Sequence, residues 1–433
     1  MSNRPGSGNV LRSRNFRLVF FGALVSELGA ILYSFAVSFY LLDISGNNAF
    51  LQGLYLALCG VVLLLFTPIG GVLGDRYNKA KIMFLCDYAK GGVILLATLL
   101  MLLFPSPGPQ IVLLFTVGIL GNMVSGIFSP ASGALLPYLV AEDKLQQANA
   151  YFSLKSAVQT ILGVVLAGVL YALLPVTMLF FIVGLCYVLS GVSEMFIRYA
   201  HVPSDEKMSV QLALDDMRDG LNYLRGQKPI LVIMGAALFI NFFMTPLSGN
   251  FLPYFVRTDI ALAPSYLFDR FLTPELWSSV FSVLIGGSSI VGSVILSARP
   301  QAEKIGRKTA LHLCAMAGAM VVLAFSYWLL AARGNSLNAY LVLMSIGCLW
   351  VGFLLVLINV PLNTVLMRLV ERDKLSKVTG IISIFSQGIT PIASVLAGLV
   401  LQAFGSSVLL FVCSAGFTAT ALILLFNPQA KSI

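Results

Sequence analysis

The sequence predicts an all-α integral membrane protein with twelve transmembrane helices in two pseudo-symmetric six-helix bundles. Three observations predict it: an apolar composition, a regular succession of span-length apolar runs, and a repeat relating the two halves. Hydrophobic residues fill 58% of the 433 positions and charged residues 10%, and the mean hydropathy is +0.92. So few charges cannot cover a soluble surface, so the chain needs lipid as its solvent.

Apolar runs fall near 17–42, 50–74, 81–104, 110–136, 145–173 and 177–199, then near 230–256, 276–298, 308–332, 338–366, 376–404 and 407–426. Each is roughly long enough to cross about 30 Å of hydrocarbon at 1.5 Å per residue. Alternate connections collect 22 of the 27 basic residues on one side, while Arg257, Arg270 and Arg333 lie on the other and Lys90 and Lys155 fall within spans. The positive-inside rule then predicts that both termini are cytoplasmic. The net charge of +9 is therefore read as an orientation signal, not as a nucleic-acid footprint. Met1 to Arg17 leads into a full-length span and reads as a cytoplasmic lead-in, not a cleavable signal. All six cysteines sit inside apolar runs without metal-ligand spacing.

The domain division follows from the longest polar segment. Residues 1–199 form the first predicted bundle, 200–229 a cytoplasmic linker and 230–433 the second bundle. Within the linker Val210, Leu214, Met217, Leu221 and Leu224 recur at helical spacing, which predicts an amphipathic surface helix. Sliding the chain by 230 residues superposes 136–168 on 366–398 with identity at 13 of 33 positions, from Leu136/Leu366 to Gly168/Gly398. A shift of 228 places Asp75, Arg76 and Lys79 on Glu303, Lys304 and Arg307, keeping each sign of charge. An internal repeat of six spans is a transporter signature.

The stretch Gly70-Gly71-Val72-Leu73-Gly74-Asp75-Arg76-Tyr77-Asn78-Lys79-Ala80-Lys81 resembles the loop between spans two and three of the major facilitator superfamily. Arg14-Asn15-Phe16-Arg17, Leu135-Leu136-Pro137 through Ala150, and Asp219 to Leu224 resemble its macrolide-efflux and drug:proton antiporter branch. Asn78 stands where that loop usually has glycine, a change tolerated if the turn needs positive φ. The resemblance implies the major facilitator fold, a monomer in the inner (cytoplasmic) membrane, and export driven by a proton gradient with no bound cofactor. It also implies a gating latch at Gly71, Gly74, Asp75, Arg76 and Lys79, with Glu303 and Arg307 as the second-half equivalents. Small glycines let helices approach closely, and the basic residues hold the loop at the cytoplasmic surface.

Glu27 is the sharpest single residue, an acid near the middle of the first span. A charge there costs roughly 2.5–3.5 kcal/mol on insertion scales, so such residues usually carry function. Ser34 and Ser38 share its helical face. Glu27 is read either as a proton carrier or as a neutral acid that fixes packing. Asp87, the second proton-coupling candidate, lies three residues from Lys90 and pairs with it or couples. Lys155 either meets an anionic substrate group or snorkels to the surface. Glu194, four residues before Arg198, is expected to pair with it, and His312 to pack as a neutral ring. Substrate contacts are expected from Tyr33, Ser34, Lys155, Gln159, Asn241, Phe242, Asn359, Asn363 and Gln387, with Pro246 and Gly249 breaking span seven into a gate.

No P-loop, metal cluster or hydrolase motif accompanies these residues, so the chain reads as a secondary transporter of small molecules, not an enzyme or an ATP-driven pump. Proton-coupled export of lipophilic or amphipathic compounds leads. Dedicated transport of one endogenous amphiphile, such as a lysophospholipid or siderophore, is the alternative, and a non-transporting membrane sensor comes third.

Overall fold

The computed structural model describes residues 10–140, 144–199, 218, 222–297, 305–334, 336–370 and 375–427, and nearly all of these described residues lie in twelve long apolar helices. The first six are α1 (Arg14–Ile44), α2 (Ala49–Arg76), α3 (Lys79–Leu103), α4 (Pro107–Leu139), α5 (Leu145–Leu173) and α6 (Val176–Met195). Then follow α7 (Pro229–Ile260), α8 (Pro274–Ser297), α9 (Gly306–Ala331) and α10 (Leu337–Leu369). The final apolar stretch, Gly380–Phe426, runs for 47 residues. At 1.5 Å per residue that is about 70 Å, more than twice the thickness of a bilayer core. Gly405 divides it, with φ 77° and ψ 179°, a conformation open to glycine and strained for other residues. The two pieces are α11 (375–404) and α12 (406–426), which completes the expected twelve spans.

Two compact units emerge, one of Met1–Ser45 with Leu58–Lys207 and the other of Gly46–Ala57 with Met208–Ile433. The first two turns of α2 thus belong with the second unit. There Ala49 N–H donates to Gln402 Oε1 at 2.9 Å and Gln52 Nε2 to the Gly249 carbonyl at 3.3 Å. A methyl group on Gly53 would lie 3.1 Å from Gly398 Cα, so these backbones approach nearly to contact. In the first unit α3 and α6 pack through Gly91 and Gly184, and α1 meets α6 through Gly22 and Gly29. Large apolar side chains such as Leu103, Leu173, Val294 and Phe426 remain exposed along the helices, the surface that lipid covers.

Helix starts are set by side-chain caps. Ser13 accepts from Phe16 N–H ahead of α1, and Ser336 from Ala339 N–H ahead of α10. Asn78 does the same for α3, accepting from Lys81 N–H at 3.2 Å. Its φ is −60°, so it stands in the glycine position as a cap and not for positive φ.

Span seven is not broken. Pro246 and Gly249 lie in a π-helical turn, Pro246–Phe251, and a second such turn covers Val256–Ile260. One extra residue per turn absorbs the missing proline N–H and keeps the helix continuous. The widened turn also leaves the Gly249 carbonyl to accept from Gln52. Similar turns cover Gln159–Gly163 in α5 and Tyr327–Ala331 in α9. Most of the proposed linker helix lies outside the described residues. Leu224 is buried against Ile230, Leu366, Val370, Val378 and Ile381. All six cysteines are free thiols.

Candidate functional site

Glu27 and Lys155 meet. The Lys155 ammonium donates to Glu27 Oε1 at 2.5 Å and joins α1 to α5. Their burial is unequal, with 3% of the Lys155 side chain exposed and 49% of Glu27. Beneath the carboxylate the ammonium also lies 4.9 Å from the centre of the Phe152 ring, a cation–π contact. One turn along α5, Gln159 Nε2 donates to the Leu24 carbonyl at 2.9 Å. Gln159 Oε1 is buried and has no hydrogen-bond partner among the described residues. Gly163 closes the seam, because a methyl group there would lie 2.8 Å from Ile31 Cδ1. Lys155 therefore neither snorkels nor stands alone.

Ser34 is exposed on the same face of α1 as Glu27, as expected from their spacing of seven. Ser38 donates to the Ser34 carbonyl at 2.7 Å. Tyr33 turns toward α6 and packs edge-on against Phe180, 5.4 Å between ring centres.

The second-unit candidates do not converge in the same way. Asn241 Nδ2 donates to the Ala237 carbonyl and Asn359 Nδ2 to the Leu355 carbonyl, both at 2.9 Å and both within their own helices. Asn359 and Asn363 are exposed one turn apart on α10, and Gln387 is exposed on α11. Phe242 is half-buried and packs edge-on against Phe243, which in turn packs on Phe417. Arg257, the repeat counterpart of Glu27, donates to Glu275 Oε1 at 2.6 Å. The acid in α1 and the base in α7 are each paired within their own unit.

In the loop motif the close approach is made by Gly70. A methyl group on it would lie 2.6 Å from Ile127 Cα and would also meet the Gly126 carbonyl, whereas Gly71 faces open space and Gly74 stands at ordinary distance from Ala131. Arg76 is exposed, but Lys79 is buried. Its N–H donates to the Tyr199 hydroxyl at 2.7 Å and its ammonium lies 5.0 Å from the Tyr138 ring centre. Lys79 is therefore part of the packing beneath the loop, not a surface charge. Burial raises the Tyr199 phenol above its ordinary range. Arg307 is exposed, while Glu303 and the side chain of Asp75 lie outside the described residues.

The sequence reading mispaired one acid. Glu194 does not reach Arg198. It is fully buried, and neither carboxyl oxygen has a hydrogen-bond partner among the described residues. Asp87, on α3, is in the same condition. Glu194 falls three and four residues after Gly191 and Ser190, on the small-residue face that α6 presents to α1 and α3. That spacing was the available signal.

A family profile described as Major Facilitator Superfamily matches residues 19–394. The chain belongs to the major facilitator superfamily. Relatives within the superfamily include the MFS-type transporter YkuC of Bacillus subtilis, 24% identical over 66% of this chain and 65% of its own length. Macrolide efflux protein A of Streptococcus pyogenes is 22% identical over 65% of this chain and 67% of its own length. An enterobactin exporter of Citrobacter koseri is 28% identical over 36% of this chain and 37% of its own length. The chain therefore aligns with about two thirds of the first two relatives and little more than a third of the last. Among solved structures, a bacterial homologue of the iron transporter ferroportin in an inward-facing state superposes with a TM-score of 0.75 at 17% identity, covering 95% of this chain and 98% of that one. This likeness establishes the major facilitator fold. The chain is a multi-pass membrane transporter, and its relatives and structural neighbours are transporters, not enzymes.

Proposed function

We propose that this transporter exports lipophilic or amphipathic small molecules in exchange for protons, with Glu27 and Lys155 as the substrate-responsive pair. The observation that carries this reading is the ion pair itself, a buried ammonium covered by a half-exposed carboxylate in the middle of two membrane spans. The ammonium, 3% exposed, is not stable there alone. Breaking a buried pair by removing one partner typically costs about 3–5 kcal/mol, because an uncompensated charge remains. A proton on Glu27 therefore requires another group to take over Lys155, and a polar substrate group beside Gln159 is suited to that exchange. A ligand can drive a conformational change only through such a difference in affinity between two states.

The likeness to macrolide efflux protein A supports export of amphipathic compounds, and the bacterial relatives support placement in the cytoplasmic membrane. In this reading both termini are cytoplasmic, the protein works as a monomer with no cofactor beyond the proton gradient, and the Asp75 loop acts as the gating latch. A second reading, transport of one endogenous amphiphile such as a siderophore, draws support from the enterobactin exporter relative. Reconstituted vesicles with an imposed pH gradient test both with one substrate panel. Under the leading reading several unrelated amphiphiles move protons with the wild type, and Glu27→Gln abolishes that movement. Substrate movement without protons would overturn the coupling, and response to a single panel member would favour the second reading.

A further inference from the structure

We infer that the substrate of the Glu27–Lys155 site carries an acidic head group with a hydrogen-bond donor beside it, and that the side-chain carbonyl of Gln159 receives that donor. The inference names the substrate class of this site and rests on the reading of Glu27 and Lys155 as the substrate-responsive pair.

Gln159 is 3% exposed, and its amide is engaged on one edge only. Nε2 donates to the Leu24 carbonyl at 2.9 Å. A carbonyl can only accept, so this contact fixes which end of the amide is nitrogen. Oε1 is then held on the other edge as an acceptor, buried and without a hydrogen-bond partner among the described residues. A buried acceptor left without a donor is destabilising, and a group that supplies one recovers the loss. The Gln159 N–H also donates to the Lys155 carbonyl, so the two residues stand one regular turn apart on α5. At that spacing their Cβ atoms share one face, about 5–6 Å apart. Two rungs therefore cross from α5 to α1, Lys155 to Glu27 at 2.5 Å and Gln159 to the Leu24 carbonyl at 2.9 Å. Their surroundings are apolar, with Phe152 under the ammonium at 4.9 Å and Ile31 closing over Gly163. Of the charged pair the carboxylate is 49% exposed and the ammonium 3%. An incoming head group thus meets the pair from the Glu27 side.

The two α5 groups have opposite requirements. Lys155 donates and cannot accept, so the atom that replaces Glu27 on it is an oxygen, and a negatively charged one keeps the buried ammonium compensated. Gln159 Oε1 accepts and has no proton to give, so the substrate atom that reaches it is an O–H or N–H. A carboxylate with a hydroxyl or amide N–H on the adjacent carbon meets both. A plain carboxylate would satisfy Lys155 and leave Oε1 orphaned. Sites that bury a polar group in this way discriminate against the analogue lacking its partner. The contact is made only when substrate is bound, so it adds to the difference in affinity between two states that a transported ligand must supply.

The probes are lauric acid and its α-hydroxy and α-methoxy derivatives, which share one chain and one charge at neutral pH but of which only the hydroxy acid donates. Equilibrium binding of each, radiolabelled, is measured on the purified full-length protein in nanodiscs, with empty nanodiscs subtracted. The hydroxy acid should bind the wild type about tenfold more tightly than either of the others. Gln159→Leu should bring that ratio to about one. Equal binding of all three acids by the wild type would overturn the donor requirement, as it would if Lys155 itself moved onto Oε1. A preference that survives Gln159→Leu would overturn the role of Gln159, and failure of all three to bind would overturn the acidic head group. Should Gln159→Leu fail to fold, as thermal unfolding would reveal, the contrast between hydroxy and methoxy acids on the wild type still decides the donor. Binding without a pH gradient is separate from coupling. The expected preference with no substrate-driven proton movement in vesicles would leave the head group standing and overturn proton-coupled export. Proton movement with other amphiphiles, together with equal binding of the three acids, would do the reverse.

Discussion

Glu27→Gln and Lys155→Met remove the same ion pair from opposite sides, and the burial of the two residues makes the losses unequal. The Glu27→Gln variant would leave the Lys155 ammonium, 3% exposed, over Phe152 with no counter-charge. Stranding a buried charge typically costs about 3–5 kcal/mol, and the cation–π contact recovers about a fifth of that, so about 3 kcal/mol is expected. The Lys155→Met variant would instead leave the carboxylate of Glu27, which is 49% exposed. Exposed groups interact weakly with their surroundings and rehydrate, so about 1 kcal/mol is expected. The double variant strands nothing. It should cost about 1 kcal/mol where additivity would give about 4, a coupling near the upper end for directly contacting residues. Denaturant unfolding of purified protein in mixed micelles at neutral pH, on all four proteins, measures the cycle. Equal costs for the two single variants, or an additive double, would refute the reasoning from burial.

Further tests address the loop motif and its support. Gly70→Ala should destabilise the protein by about 1–3 kcal/mol through overpacking against Ile127, whereas Gly71→Ala should be neutral or slightly stabilising; thermal unfolding compares them. Tyr199→Phe should cost about 1 kcal/mol by leaving the Lys79 amide without its acceptor. The same variant should change the alkaline limb of stability. The folded-state pKa of Tyr199 is raised, so its contribution is complete below the unfolded value of about 10 and is lost as pH rises through the folded value. Unfolding midpoints across that range, with and without the hydroxyl, would reveal it, and identical pH profiles would count against it. Asp75→Asn should lower transport in vesicles while leaving the unfolding midpoint unchanged, and wild-type rates would remove the latch from the mechanism.

What was legible in the sequence was mostly periodic. Twelve spans and the break near residue 405 follow from apolar run length, and the repeat from residue identities at a fixed shift, whereas the positive φ of Gly405 that makes the break is seen only in the structure. Glu27 was also legible, because an acid deep in an apolar run is conspicuous wherever it points. Its partner was not. Lys155 is 128 residues away, and no local pattern says which faces of α1 and α5 meet. Glu194 failed for the opposite reason, since a tempting local pair with Arg198 concealed its place on the small-residue face of α6. Lys79 and Pro246 show two other limits. A basic loop residue can be roofed by a tyrosine from a distant segment, and a proline that would break an ordinary helix is absorbed by a π-turn.

The π-turns of α5 and α7 act like a vernier. Each carries one residue more than the helical rows on either side, so it marks where two stretches of one helix are out of phase. Shifting that surplus by one position would rotate the residues it passes by about 100° around the axis, without unwinding either end. In α5 the surplus begins at Gln159, one turn beyond Lys155. The segment that holds the ammonium against Glu27 thus abuts a built-in phase step, and a small axial slip there would be read out as a turn of the side chains facing the first helix.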